Sequence, residues 1–223
     1  MGGVEPESAA EASQRLAPRR AEPADLVAGL TFVGALVMAM AGAVDGALFL
    51  AATFMGILVL RRLELPTPFE LSFATGLVLQ GWGNALLLFE QVGWYDKAVH
   101  LLTPMLVVPP LYLLLCRAGA VAPPWESGLR RGILGMIVLT TSLGIALAAV
   151  WELIEARADR WLGTSFAHGY FETIDDLYSS LLGSAAAGPM FAWLVTSGGR
   201  DLRAARYGAG SVVATSGFSK PRP

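Results

Sequence analysis

Of the 223 residues, 54% are hydrophobic and only 15% charged, and the mean hydropathy of +0.54 lies well above that of soluble domains. A net charge of −2 leaves no basic surface for nucleic acid, and the lone Cys116 excludes an intrachain disulfide or a cysteine-ligated zinc. The composition points to an all-α, polytopic integral membrane bundle whose partner is the lipid bilayer.

Residues 1–25 are rich in Ala, Glu, Pro and Arg and contain no apolar h-region, so they read as a disordered cytoplasmic tail rather than a cleavable signal. Between residues 26 and 60 the only charge is Asp45. As one helix this run would be about 52 Å long at ~1.5 Å per residue, too long for a ~30 Å hydrocarbon core. Folding back at residues 42–46, which Gly42 and Gly46 permit, gives two short spans. Four more apolar runs, 71–89, 98–116, 132–151 and 177–195, are each long enough to cross a bilayer as helix. The count is six, the membrane domain covers 26–196, and 197–223 reads as a mostly disordered cytoplasmic tail. Pro104, Pro109 and Pro110 are placed to kink the fourth span. The links are Arg61-Arg62 with two prolines, a turn at 92–97, a Pro-Pro-Trp-Glu loop ending in Arg130-Arg131, and a longer segment over 156–176.

With six spans, 13 of the 16 Lys and Arg residues fall on one side. By the positive-inside rule that side is the cytoplasm, so both termini are cytoplasmic, and the setting is a bacterial inner membrane. Removing one span from the early hairpin would put basic clusters on opposite sides, so the asymmetry also checks the count.

This topology brings the ionisable residues of three elements to the outer boundary. Asp96 and His100 lie one helical turn apart at the entry of the fourth span, and Glu152 and Glu155 are i and i+3 at the exit of the fifth. Glu172, Asp175 and Asp176 precede the sixth span, where Thr173, Asp176, Ser180 and Ser184 form one polar stripe. His100 lies one turn inside an apolar run, where an unpaired ionisable group is costly, so it calls for a partner. His168, flanked by Gly169, reads as a solvated loop residue, Gln80 and Asn84 as interhelical glue, and Trp94, Tyr95, Trp161 and Tyr170 as an aromatic belt.

One nitrogen with several carboxylate oxygens suits Mg, Mn, Fe or Zn, so a divalent metal ion is the cofactor that Asp96, His100, Glu152, Glu155 and Asp176 would take. Around them Tyr95, Glu172, Thr173 and Ser180 are placed to orient the ligands. No serine elbow, HExxH or phosphate-binding glycine loop is present. Three functions stay open. A metal could activate water for hydrolysis of a lipid-linked or envelope substrate, with Glu152 or Asp176 as the catalytic carboxylate. The same groups could form a proton or cation site in transport, or lock helices together in an envelope-assembly protein.

The spacing of WYDKAVH, WELIE and YFETIDDLYSSLLG, across about residues 70–195, resembles the YjdF-type family of uncharacterised bacterial inner-membrane proteins. The resemblance places the family pattern on Tyr95, Asp96, His100, Glu152, Glu155, Glu172, Thr173, Asp176 and Gly183. It departs at Leu101, where an aromatic is expected, and at Glu172, where an Asp is expected. A looser similarity joins the chain to VanZ-like membrane proteins. Neither resemblance implies an established reaction, so function is argued from the site.

Overall fold

The computed structural model describes residues 23–123, 129–162 and 169–197; the two terminal tails lie outside the described residues. Every regular element among them is helical: α1 (Pro23–Met40), α2 (Val44–Arg62), α3 (Thr67–Ala85), the short α4 (Leu88–Gln91), α5 (Tyr95–Arg117), α6 (Leu129–Leu162) and α7 (Tyr170–Ser197). Segments Pro23–Met40, Val44–Arg62, Tyr95–Arg117 and Arg130–Trp161 are long and apolar enough to cross a membrane. In α3 and α7 buried polar side chains, among them Glu70, Asp176, Ser180 and Ser184, dilute the apolar signal.

α1 turns its small residues inward. Ala24, Ala28, Thr31 and Ala35 are buried at helical spacing, whereas Leu26, Leu30, Val33 and Val37 face outward. That is the inverse of a soluble helix and fits a hydrocarbon solvent, in which close packing and not water exclusion drives association. α1 ends in a Schellman motif: Gly42 N–H bonds Ala39 O at 3.1 Å, Ala43 N–H bonds Met38 O at 2.9 Å, and Gly42 takes φ +76°. The reversal predicted at 42–46 thus has its cause in Gly42, one residue that adopts the left-handed region at no steric cost.

α1 packs on α2, α2 on α3, and α3 on α5; α5, α6 and α7 form a three-helix core. Where the first three helices meet, the Arg61 guanidinium reaches Asp25 at the start of α1 (2.9 Å) and Glu70 in α3 (2.7 Å). Arg117, closing α5, donates to the carbonyls of Leu63 (2.7 Å) and Glu64 (3.0 Å) and so ties down the α2–α3 link. The same end holds the aromatic core, in which Phe191 meets Phe69 and Tyr112 edge-on. Pro110 has no N–H for the carbonyl four residues back, Leu106, and Ser72 Oγ of α3 donates to that carbonyl instead at 2.6 Å.

Two boundaries differ from the hydropathy reading. The third apolar run, expected over 71–89, stops being one helix at Ala85, because Leu87 adopts φ +56° before the single turn of α4. Hydropathy cannot register such a reversal, since the residues on either side are equally apolar. The long link expected over 156–176 is mostly helix: α6 continues to Leu162 and α7 begins at Tyr170. Polar residues there end the apolar run but not the backbone hydrogen bonding, which is indifferent to side-chain polarity.

Candidate functional site

The end of the core opposite the aromatic cluster is polar. α5 starts just before it, and Tyr95 sets the rotation of that helix. The Tyr95 hydroxyl donates to Leu79 O of α3 at 2.7 Å, and the ring packs edge-on against Phe89. Gly83 gives this ring room, since a Cβ there would stand 2.6 Å from Tyr95 Cε1. Tyr95 is therefore a bundle contact, not a member of the aromatic belt expected from the sequence; Trp94, Trp161 and Tyr170 are exposed.

Asp96 and His100 share the other side of α5, one turn apart, with Nε2 of His100 3.4 Å from Asp96 Oδ1. On α7, Asp176, Ser180 and Ser184 are buried at successive i+4 steps. α5 and α7 meet through Gly183, where an added Cβ would run into the Leu101 carbonyl, so only glycine allows the approach. From α6 comes Glu152, whose side chain is 7% exposed.

These elements converge on one imidazole. His100 Nδ1 lies 3.2 Å from Ser180 Oγ, and Nε2 lies 3.8 Å from Glu152 Oε1. One ligand atom from each of Asp96, His100 and Asp176 lies within 4.8 Å of the others, and the same holds for His100, Glu152 and Glu155. With Ser180 accepting from Nδ1–H, the Nε2 lone pair faces two carboxylates. Three acceptors then point at one another, an arrangement that a proton or a cation between them relieves. Glu152 Oε1 is buried without a hydrogen-bond partner.

Asp176 has its own counter-charge. Lys97 Nζ is 2.7 Å from Asp176 Oδ1 and 3.6 Å from Asp96 Oδ2, so its nearer partner is on α7 and not its neighbour in sequence. Glu172 adds negative charge near Lys97, and the Thr173 hydroxyl is within reach of the Glu152 carboxyl. Asn84 donates to Gln80 O of its own helix at 2.9 Å, a local bond in place of the interhelical one expected. His168 lies outside the described residues. Sequence reasoning missed Thr103, one turn below His100, whose Oγ1 is buried and unpartnered. Its signal was a hydroxyl three residues after the histidine on an otherwise apolar face.

A family model described as a predicted membrane protein, DUF2238, matches residues 26–197. No curated protein and no solved structure matches the chain.

Proposed function

The chain belongs to the DUF2238 family of predicted membrane proteins, and from that premise we propose that Asp96, His100, Glu152, Glu155 and Asp176 form a divalent-cation site that activates water for hydrolysis. The observation that carries this reading is Glu152: nine-tenths buried, with Oε1 unpartnered and 3.8 Å from an imidazole nitrogen. Around a four-coordinate ion with bonds of ~2.1 Å, ligand atoms stand about 3.4 Å apart. The separations of 3.4 Å and 3.8 Å at His100 Nε2 fit that spacing. Lys97 neutralises Asp176, so the uncompensated charge lies toward Glu152 and Glu155; a cation held there would supply an acidified water, and the carboxylate not engaged by the ion would serve as the base.

Metal analysis of the detergent-purified full-length protein is the test. Wild type is expected to carry a transition metal or take one up on dialysis against Mn or Zn, and His100→Ala and Glu152→Gln are expected to lose it. Ser180→Ala, which removes only the orienting hydroxyl, should weaken affinity by on the order of 10- to 100-fold. A wild-type protein that takes up no metal defeats the reading and favours the interhelical lock for which the Lys97–Asp176 pair already speaks.

The cation site belongs, in this reading, to the outer end of a six-span bundle of the bacterial inner membrane with both termini cytoplasmic. The positive-inside distribution supports it, as does the burial of the polar groups of α3 and α7 between apolar helices. Reporter fusions after Arg61, Arg131 and Val195 should read cytoplasmic, and those after Asp96 and His168 external. A periplasmic C-terminal reporter contradicts the topology.

A further inference from the structure

Beside the cluster, α3 and α6 flank α5 without packing on each other, and the gap between them is a cavity of about 420 Å³. Its floor is one face of α5, on which His100, Thr103, Val107 and Leu111 recur at helical spacing. Gly76 and Leu77 of α3 form one wall, Ala148 and Trp151 of α6 the other. On the α6 side the lining residues Leu147, Val150, Trp151 and Ile154 are also exposed on the outer surface, so the cleft opens sideways, where the hydrocarbon of a bilayer lies. From His100 to Leu111 the floor runs about 16 Å at ~1.5 Å per residue, roughly half a ~30 Å hydrocarbon core. That is one leaflet, the reach of one acyl chain.

Polarity along this floor is one-sided. His100, Ser180 and the unpartnered Thr103 Oγ1 stand at the upper end, and everything from Pro104 to Leu111 is apolar. A slot apolar for one leaflet's depth and capped by a polar cluster fits an amphiphile with its head at His100. Lys97 is taken up by Asp176 and Asp96, so the positive charge that would attract a phosphate at that head is the proposed cation's.

We propose that this cleft seats one acyl chain of a membrane phospholipid, with its phosphate at the His100 cluster, which makes a lipid the substrate class of that site. The phosphate's placement rests on the cation reading above; the chain's does not.

Full-length protein in vesicles doped with phosphatidylglycerol bearing a diazirine on one acyl chain, cross-linked and mapped by peptide mass spectrometry, tests this. A diazirine near the glycerol is expected to label Thr103 and one at the chain end Leu111, both above lipid-facing Leu30 and Val33 of α1. Ala148→Phe and, from the opposite wall, Leu77→Phe should each cut floor labelling several-fold in protein that stays monodisperse with unchanged metal content. Floor labelling no higher than on α1, or unmoved by both variants, overturns the proposal, and a reversed depth order overturns the head's placement. Cleft labelling in a protein that takes up no metal upholds the chain's seat and refutes the cation reading, whereas metal with an unlabelled cleft does the opposite.

Discussion

Gly183→Ala is expected to remove both the packing of α5 on α7 and the metal site, while leaving membrane insertion intact. An alanine Cβ at this position meets the carbonyl of Leu101 on α5, a backbone atom that no rotamer change can move aside. Relief requires the two helices to separate, and they make the most extensive helix contact of the core. Overpacking of this kind costs ~1–3 kcal/mol where side chains can adjust and more where backbone must shift. Leu101 follows His100 directly, so the same movement withdraws the imidazole from Ser180 and Glu152. Thermal unfolding in mild detergent should show a drop of several degrees, with metal content falling alongside. Gly29→Ala is the control, because a Cβ there has nothing within 4 Å. Equal melting temperatures for the two variants would show that the helices cross with more room than the backbone geometry allows.

Glu70→Ala should be about as damaging at the other end of the molecule. Glu70 is 1% exposed and Arg61 8%, and the two are joined at 2.7 Å. Removing the carboxylate leaves a buried guanidinium with part of its hydrogen-bonding capacity unmet, and breaking a buried pair from one side costs ~3–5 kcal/mol. Replacing both residues together, as Arg61→Met with Glu70→Met, removes the buried guanidinium along with its unmet bonds and should recover much of that loss. The double variant unfolding at a lower temperature than Glu70→Ala would contradict this account. Asp25 is part of the same network, so the cycle should be run with it unchanged.

The places where sequence reasoning stopped short have identifiable physical causes. The hairpin between α1 and α2 was legible because Gly42 both interrupts the apolar run and supplies the left-handed residue that the turn requires. The break at Leu87 was not, because a non-glycine residue carries the positive φ inside an apolar run. Hydropathy likewise ends α6 near Trp151, although the helix continues to Leu162, since apolarity measures fit to hydrocarbon and not helix length. For the candidate site, i,i+4 spacing and the common end of three spans were enough to single out Asp96, His100, Glu152 and Asp176. Which carboxylate Lys97 would choose was beyond spacing, because the choice depends on how α7 lies against α5. The cleft left no trace in the sequence at all, as it arises from two helices that share no extensive contact among the described residues.

The length of α6 has a consequence for the setting of the cluster. Its 34 residues extend about 51 Å at ~1.5 Å per residue, against a hydrocarbon core of ~30 Å. The surplus includes the turns with Glu152, Glu155 and the Arg157 guanidinium that lies 5.6 Å from the Trp161 ring centroid. The apolar part, residues 132–151, matches that core at about 30 Å, so the polar turns beyond it stand at the headgroup boundary and respond to any change in bilayer thickness. In a bilayer of longer-chain lipids the polar turns are drawn toward the acyl region or α6 straightens toward the normal; shorter chains tilt it and lift the carboxylates into the headgroups. In the topology proposed above, bilayer thickness would set how much water reaches Glu152 and Glu155, so lipid chain length would act as a control on the chemistry proposed for these side chains.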